Sequence, residues 1–152
     1  MGQAWRIVKE SRAVEAFSGE GAVRYGGRWN SRGTRLVYTS STRALAMLEL
    51  LVHLNPPIHF RMVVIRVEFP DALVERLPST ALAGGWREAP PPPATKVIGD
   101  QWVREARSAV LEPPSVIVPE ESNYLLNPAH PQFAQITIGP AELFSLDPRL
   151  LT

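Results

Sequence analysis

Three kinds of side chain that can act on a nucleotide lie close together in the first third of the chain. The run Gly26-Gly27-Arg28-Trp29-Asn30 supplies a cation, Tyr38 supplies a phenol, and Glu49 supplies a carboxylate. Paired glycines let the backbone bend or approach a ligand closely, and a guanidinium can hold a phosphate or ribose oxygen in fixed geometry. A nearby carboxylate can stabilise a developing positive charge. These residues predict a site for an anionic nucleotide.

Apolar residues recur at helical spacing and predict a helix over residues 42–53, which ends before Asn55-Pro56-Pro57. Glu49 is a charged residue within this apolar pattern. Ser40 or Ser41 is the expected cap of this helix. A buried carboxylate without a partner is costly. Glu49 therefore either pairs with an arginine such as Arg43 or faces a cavity, where it can act on a ribose.

The other candidates have an ordinary interpretation beside the functional one. Arg28 can be a solvated or structural arginine, and Tyr38 can be a core residue of a strand. Ser115 can simply begin a strand, or its hydroxyl can contact a ligand. His53, one helical turn after Glu49, can share its face and is the weaker candidate.

Composition limits the class of protein. The 152 residues are 45% apolar, which predicts a single domain over residues 1–152, and the net charge of +1 gives no broad field for nucleic acid or lipid. Without cysteine there is no disulfide framework or thiol nucleophile, and the three histidines lack zinc-site spacing. We expect no metal, no membrane association and a cytoplasmic protein.

Short strands interspersed with two main helices predict an α+β domain rather than regular βαβ alternation. The predicted strands cover residues 5–8, 36–39, 62–69, 115–118 and 135–138. The second helix is predicted over residues 99–110, with Asp100 as its N-cap. Residues 78–95, which contain four consecutive prolines, are predicted to form a surface loop, as are residues 123–131.

Several motifs, taken in order, resemble the RES domain, and together they cover nearly the whole chain. They are Trp5-Arg6, Ser18-Gly19-Glu20-Gly21-Ala22, Gly26-Gly27-Arg28-Trp29-Asn30, Tyr38-Thr39-Ser40, Glu49, Gly99-Asp100-Gln101-Trp102, Pro114-Ser115-Val116-Ile117-Val118-Pro119 and Asn123-Tyr124-Leu125-Leu126-Asn127-Pro128. The combination is more specific than any single motif. The arginine, glutamate and serine for which the family is named match Arg28, Glu49 and Ser115, with Ser122 as the alternative serine.

The resemblance implies a fold similar to ADP-ribosyltransferases, with mixed short-stranded sheets, flanking helices and an NAD-binding cleft. It also implies the toxin of a bacterial toxin-antitoxin pair, in a hetero-oligomeric complex with an Xre-type antitoxin. That antitoxin would block the cleft, and its helix-turn-helix domain would make the only contact with DNA. Residue by residue, Arg28 and Arg6 would hold NAD, Tyr38 would line the nicotinamide end, Glu49 would act at the ribose and Ser115 would contact the ligand.

Three functions follow as expectations. The first is cleavage of NAD at the nicotinamide-ribose bond, which depletes cellular NAD. The second is transfer of ADP-ribose from NAD to a cellular protein, which needs the same cleft and differs in the acceptor. The third is a non-enzymatic interaction domain whose cleft only receives the antitoxin.

Overall fold

A single seven-stranded sheet organises the computed structural model, which describes residues 1–55 and 58–151. Its strands are β1 (Gly2–Lys9), β2 (Val37–Ser40), β3 (Met62–Phe69), β4 (Val74–Arg76), β5 (Val110–Glu112), β6 (Asn123–Leu126) and β7 (Thr137–Phe144). Their order across the sheet is β4-β5-β6-β2-β1-β3-β7. Neighbours pair antiparallel except β4 and β5, which are parallel. The predicted α+β class with a mixed sheet is confirmed.

Three α-helices of the described residues accompany the sheet: α1 (Glu20–Tyr25), α2 (Arg43–Leu51) and α3 (Pro93–Glu105). Ala46 of α2 packs in a cluster with Ile7 of β1 and Val64 of β3, whereas Trp102 of α3 packs with Leu125 of β6. Strand alternation and register put Ile7, Val64 and Leu125 on one face of the sheet. Both helices therefore cover the same face, α2 over the β1 side and α3 over the β6 side.

The strand predicted over residues 62–69 is β3, with both ends correct. The sequence pattern suggested one apolar and one polar face, with Arg66 and Glu68 on the polar face. In the structure Met62 and Val64 are also buried, because β3 pairs with β1 and β7 and has α2 over its second face. Interior strands of this kind have apolar residues on both faces along the covered part.

The second helix was placed too late in the sequence. It begins at Pro93, the last of the four prolines, because the first helical position needs no backbone N–H and suits the fixed φ of proline. It ends at Glu105, and Ala106 follows in the left-handed region with φ 49°. Asp100 does not cap the helix; it lies inside it and accepts a hydrogen bond from the Ser31 N–H.

Two predictions near the end of the chain are wrong. Residues 115–118 form a bend instead of a strand, and the strand of this region is β5, which ends before Pro113 and Pro114. Residues 123–131 are not all loop, because Asn123–Leu126 forms β6 between β5 and β2. The final strand, predicted at residues 135–138, begins at Thr137 and runs on to Phe144.

The helix that contains Glu49 is close to its prediction. Thr42 is its N-cap, with its hydroxyl oxygen accepting from the Leu45 N–H at 3.0 Å, so the expected cap at Ser40 or Ser41 is wrong. Ser40 is instead the last residue of β2. The helix ends at Leu51, and Pro56 and Pro57, which we expected to stop it, lie outside the described residues.

Candidate active site

Glu49 lies at the centre of a set of hydrogen bonds that joins α2 to the sheet. One carboxylate oxygen, Oε1, accepts from the Ser115 hydroxyl at 2.7 Å and from the Asn123 side-chain amide at 2.8 Å. The carbonyl oxygen of that amide accepts from the Ser40 hydroxyl at 2.8 Å. We call these four residues, Glu49, Ser115, Asn123 and Ser40, the Glu49 network. Among the described residues, no group donates to the second carboxylate oxygen, Oε2.

Ser115 is completely buried, and its hydroxyl has a fixed direction. Its oxygen accepts from the backbone N–H groups of Ile117 and Val118, at 3.0 and 3.1 Å. A serine hydroxyl has two acceptor positions and one hydrogen. Because both acceptor positions are used in this bend, the hydrogen is left for Glu49. The bend at residues 115–118, where a strand was predicted, is therefore what aims the serine.

A cavity of about 180 Å³ opens beside Glu49, between α2 and strands β1, β2 and β6. Its lining includes the chemically active candidates Arg6, Tyr38, Ser40, Glu49, His53 and Asn123. The indole nitrogen of Trp5 also belongs to this region; it is buried and has no hydrogen-bond partner in the described part of the chain. A buried donor without a partner is unusual in folded proteins, and here it lies next to a cavity that can hold an acceptor.

Arg28 reaches from the Gly-Gly run to the proline-rich loop. Its Nη1 donates to the backbone carbonyls of Trp86 and Glu88, both at 2.8 Å. Partial burial lowers the pKa of Arg28, while the charge of Glu49 and the phenol of Tyr38 act in the opposite direction. Arg28 is thus close enough to Glu49 and Tyr38 to interact with them electrostatically, although it does not line the 180 Å³ cavity.

Tyr38 is a structural residue as well as a cavity residue. Its hydroxyl donates to the Asn30 side-chain oxygen at 2.6 Å and accepts from the Trp29 N–H at 3.1 Å. Burial raises the pKa of Tyr38 well above its ordinary value, so the phenol stays protonated. A Cβ on Gly27 would lie 2.5 Å from the Tyr38 hydroxyl oxygen, so only glycine fits there. The glycine run lets the segment approach Tyr38.

Helix α3 holds the segment 27–31 from the other side. The Thr95 hydroxyl donates to the Arg28 carbonyl at 2.7 Å, and the Lys96 ammonium donates to the Gly27 carbonyl at 2.8 Å. Asp100 accepts from Ser31, as described above. Gly99 permits this contact, since a Cβ there would lie 1.6 Å from the Trp29 carbonyl oxygen. The position of Arg28 therefore depends on α3.

Arg6 lies in β1 with its guanidinium directed at backbone carbonyls. Its Nε donates to Ala16 at 2.7 Å and its Nη1 to Tyr38 at 2.9 Å. Burial lowers the pKa of Arg6 to about 10, and the group remains charged at neutral pH. Arg6 thus places a permanent positive charge at the cavity wall.

The two candidate serines have different partners in the structure, and Glu49 faces the cavity instead of pairing with Arg43. Ser115 bonds Glu49, whereas the Ser122 hydroxyl donates to Glu112 at 2.7 Å. Arg43 lies 3.9 Å from Glu142, and Glu49 makes no ion pair within residues 1–55 and 58–151.

Sequence reasoning missed Asn123 and Ser40 as members of the site. They occupy facing positions of β6 and β2, and this pairing, between strands about 80 residues apart, has no local signal in the sequence.

Three further findings concern the described residues as a whole. A larger hollow, of about 370 Å³, lies along β3 and β7 and is lined mainly by apolar side chains such as Phe60, Leu143 and Leu146. It contains none of the candidate site residues. Within the described part of the chain, no cluster of histidine and carboxylate side chains could hold a metal ion. No helix among the described residues is long and apolar enough to span a bilayer.

The fold is similar to that of a known structure. The structure matches the toxin-antitoxin complex MbcT-MbcA of M. tuberculosis with a TM-score of 0.75, over 95% of this chain and 84% of the matched chain. Sequence identity in that match is 16%, so it supports the fold alone.

The RES domain model matches residues 3–147, and the chain belongs to the RES domain family. A Sphingobium protein named Prs ADP-ribosylating toxin is 41% identical over 97% of this chain and 95% of its own length. Proteins named Toxin Res from Pseudomonas putida and Yersinia enterocolitica are 39% and 36% identical. Each of these two alignments covers 96% of this chain and 97% of the relative. The predicted resemblance is confirmed.

Proposed function

We propose that this RES-domain protein is the toxin of a toxin-antitoxin pair and that it cleaves NAD at the bond between nicotinamide and ribose. The observation that supports this most directly is Glu49. Its carboxylate lines a cavity and is held by two neutral donors on one oxygen, while the other oxygen has no donor among residues 1–55 and 58–151. A charged group positioned but not neutralised is suited to stabilising a cation.

The reaction needs such a group. As the bond from C1′ to the nicotinamide nitrogen breaks, the electron pair leaves with nicotinamide, which becomes neutral. Positive charge then develops at C1′ and the ring oxygen of the ribose. The Glu49 carboxylate stabilises that charge electrostatically, as carboxylates do in glycosidases. Attack by water at C1′ gives ADP-ribose and a proton. Attack by phosphate at the same carbon gives ADP-ribose that carries the phosphate there. The leaving group needs no acid, so one carboxylate is enough.

The rest of NAD would extend beyond the cavity. Enclosed ligand sites commonly measure roughly 300–1,000 Å³, so 180 Å³ accommodates only part of a dinucleotide. We place the nicotinamide riboside there, beside Tyr38 and Glu49, whereas Ser115, which does not line the cavity, would act through its hydrogen bond to Glu49. The diphosphate would lie toward Arg28, whose Nη1 is fixed by loop carbonyls. Arg6 would add a second positive charge at the cavity wall.

The test is release of nicotinamide from NAD by the purified chain. Replacing Glu49 by glutamine keeps an oxygen that can accept from Ser115 and Asn123 but removes the charge. We expect kcat to fall roughly 100-fold to 1,000-fold, the effect of losing one main electrostatic group. Glu112→Gln is the matched control, because Glu112 also accepts a serine hydroxyl but lies outside the cavity. Equal activity of wild type and Glu49→Gln, or no release with any acceptor supplied, would remove the proposal.

A second candidate is transfer of ADP-ribose to a protein side chain. It is favoured by the similarity to the Sphingobium protein named Prs ADP-ribosylating toxin. The chemistry at C1′ is the same, and only the nucleophile differs. NAD labelled in the adenosine half distinguishes them, since label on a protein band indicates transfer and label in free ADP-ribose or its phosphate indicates consumption.

An antitoxin is the partner that we propose, and the toxin-antitoxin complex among the structural matches supports it. The family resemblance implies an Xre-type antitoxin with a helix-turn-helix domain, which would supply any contact with DNA in the cytoplasm. If the cleft only receives the antitoxin, the purified pair will associate while the free chain releases no nicotinamide.

A further inference from the structure

We propose that Asn123, held by Ser40, is a positioning residue for Glu49 that decides which carboxylate oxygen acts on the ligand. The proposal rests on the function given above and adds two residues to it. Neither residue needs to touch the ligand for this role. Both act through the orientation of one carboxylate.

The first step of the argument is the direction of the amide. An asparagine side chain can present either its oxygen or its NH2 group to a neighbour. The Glu49 carboxylate can only accept, so the NH2 group of Asn123 faces it, at 2.8 Å from Oε1. The amide oxygen then points to Ser40, whose hydroxyl donates to it at 2.8 Å and holds the amide in that orientation. Register explains the contact, because Ser40 and Asn123 are directly paired residues of β2 and β6. Both side chains are buried, with 4% and 8% exposure.

The second step is the asymmetry of the carboxylate. Ser115 and Asn123 come from different segments of the chain, yet both donate to Oε1. Two donors on one oxygen define the rotation of the carboxylate plane, and a single donor would leave it free to turn. The other oxygen, Oε2, is then the one available to a cation in the cavity. A displacement of about 1 Å at such a group can cost on the order of 100-fold in rate.

The activity arm of the experiment compares Asn123→Ala and Ser40→Ala with two control serines. The Ser41 side chain makes no hydrogen bond with the described residues, and the Ser122 side chain bonds Glu112 outside the network. We expect Asn123→Ala to lower kcat for nicotinamide release about 10-fold to 100-fold, with KM changed less than about threefold. Ser40→Ala should lower kcat less, about threefold to tenfold. Ser41→Ala and Ser122→Ala should remain within about twofold of wild type.

The second arm does not depend on NAD turnover. In Asn123→Asp a carboxylate oxygen replaces the NH2 group, about 2.8 Å from Oε1. Two carboxyl groups at that distance share one proton, so the melting temperature of Asn123→Asp should fall as pH rises from 5 to 8. The double variant Asn123→Asp, Glu49→Gln should lose this dependence. If the wild type consumes NAD, the acid limb of the pH–rate profile of Asn123→Asp should also move to higher pH.

The outcomes separate the two proposals. If the wild type fails to consume NAD but the melting curves follow this pattern, the function is wrong and the contact between Asn123 and Glu49 stands. If Asn123→Ala keeps the wild-type kcat, or changes only KM, the positioning role is overturned. It is also overturned if the pH dependence of Asn123→Asp is the same with and without the Glu49 carboxylate. A general loss of folding would lower the melting temperature at every pH and would not produce the Glu49-dependent slope.

Discussion

At the scale of single residues, the informative property of Glu49 is the kind of partner it has. A carboxylate that serves stability usually faces an arginine or lysine, and Arg43 was the sequence-based candidate for that role. The structure gives Glu49 two neutral donors instead, which hold it without cancelling its charge. The helical pattern left two alternatives for Glu49, an arginine partner or a position at a cavity, and the structure has the second. The pattern could not predict Asn123, because that contact arises from the pairing of strands about 80 residues apart.

Tyr38 gives a residue-scale prediction about stability. Replacing Tyr38 by phenylalanine leaves the Trp29 N–H and the Asn30 side-chain oxygen without their partner. We expect the free energy of unfolding at pH 7 to fall by about 1–3 kcal/mol, the usual cost of an unsatisfied buried polar group. Chemical denaturation of the wild type and Tyr38→Phe measures it. Tyr25→Phe, at an exposed tyrosine, is the control and should change stability little.

The difference in stability between the wild type and Tyr38→Phe should also depend on pH. The folded phenol of Tyr38 has a raised pKa, whereas the phenol of the unfolded chain ionises near its ordinary value of about 10. The stability that Tyr38 provides is therefore complete below pH 10 and is lost as pH rises from there toward the folded pKa. The difference between wild type and Tyr38→Phe should shrink above pH 10, by up to about 1.4 kcal/mol per pH unit. A difference that grows with pH would contradict the buried, protonated phenol.

At the scale of elements, the prediction of α3 was wrong in two respects: the residue at which the helix begins and the role of Asp100. The four prolines suggested a loop, yet the last of them begins the helix. Asp100 has the residue type of an N-cap, but its carboxylate bonds a distant backbone group, which local sequence patterns do not reveal. Strands β5 and β6 are only three and four residues long and depend on their neighbours in the sheet. Longer elements with a strong pattern, β3 and α2, were predicted well.

Gly99 tests whether α3 positions the Arg28 segment. Gly99→Ala forces the helix and the Trp29 backbone apart, since the new Cβ would meet the Trp29 carbonyl oxygen. We expect stability to fall by about 1–3 kcal/mol, as in an overpacked core. We also expect KM for NAD to rise, because Arg28 moves with that backbone. Gly21→Ala is the control: Gly21 is a helical glycine of α1 with nothing within 4 Å of an added Cβ. It should be neutral or slightly stabilising.

At the scale of the whole molecule, the two halves of the proposed site depend on different elements over one face of a continuous sheet. Glu49 is carried by α2, and Arg28 is held by α3 and the loop carbonyls at 86 and 88. The sequence was sufficient for the α+β class and the family resemblance. It was insufficient for strand order, which brings β6 beside β2 and so places Ser115 and Asn123 at Glu49.

Binding of ADP-ribose should stabilise the whole chain, and Arg28 should account for much of that effect. A ligand at 100 times its Kd adds about 2.7 kcal/mol to the free energy of unfolding, or roughly 5–10 °C in Tm for a chain of this size. Arg28→Lys keeps the charge but loses the planar guanidinium, which donates to the loop carbonyls and, under the proposed function, would also bind a phosphate. We expect its Tm shift with ADP-ribose to be less than half that of the wild type. Arg43→Lys, at an exposed arginine 3.9 Å from Glu142, should keep the full shift. An undiminished shift in Arg28→Lys would place the diphosphate elsewhere, with Arg6 as the remaining candidate.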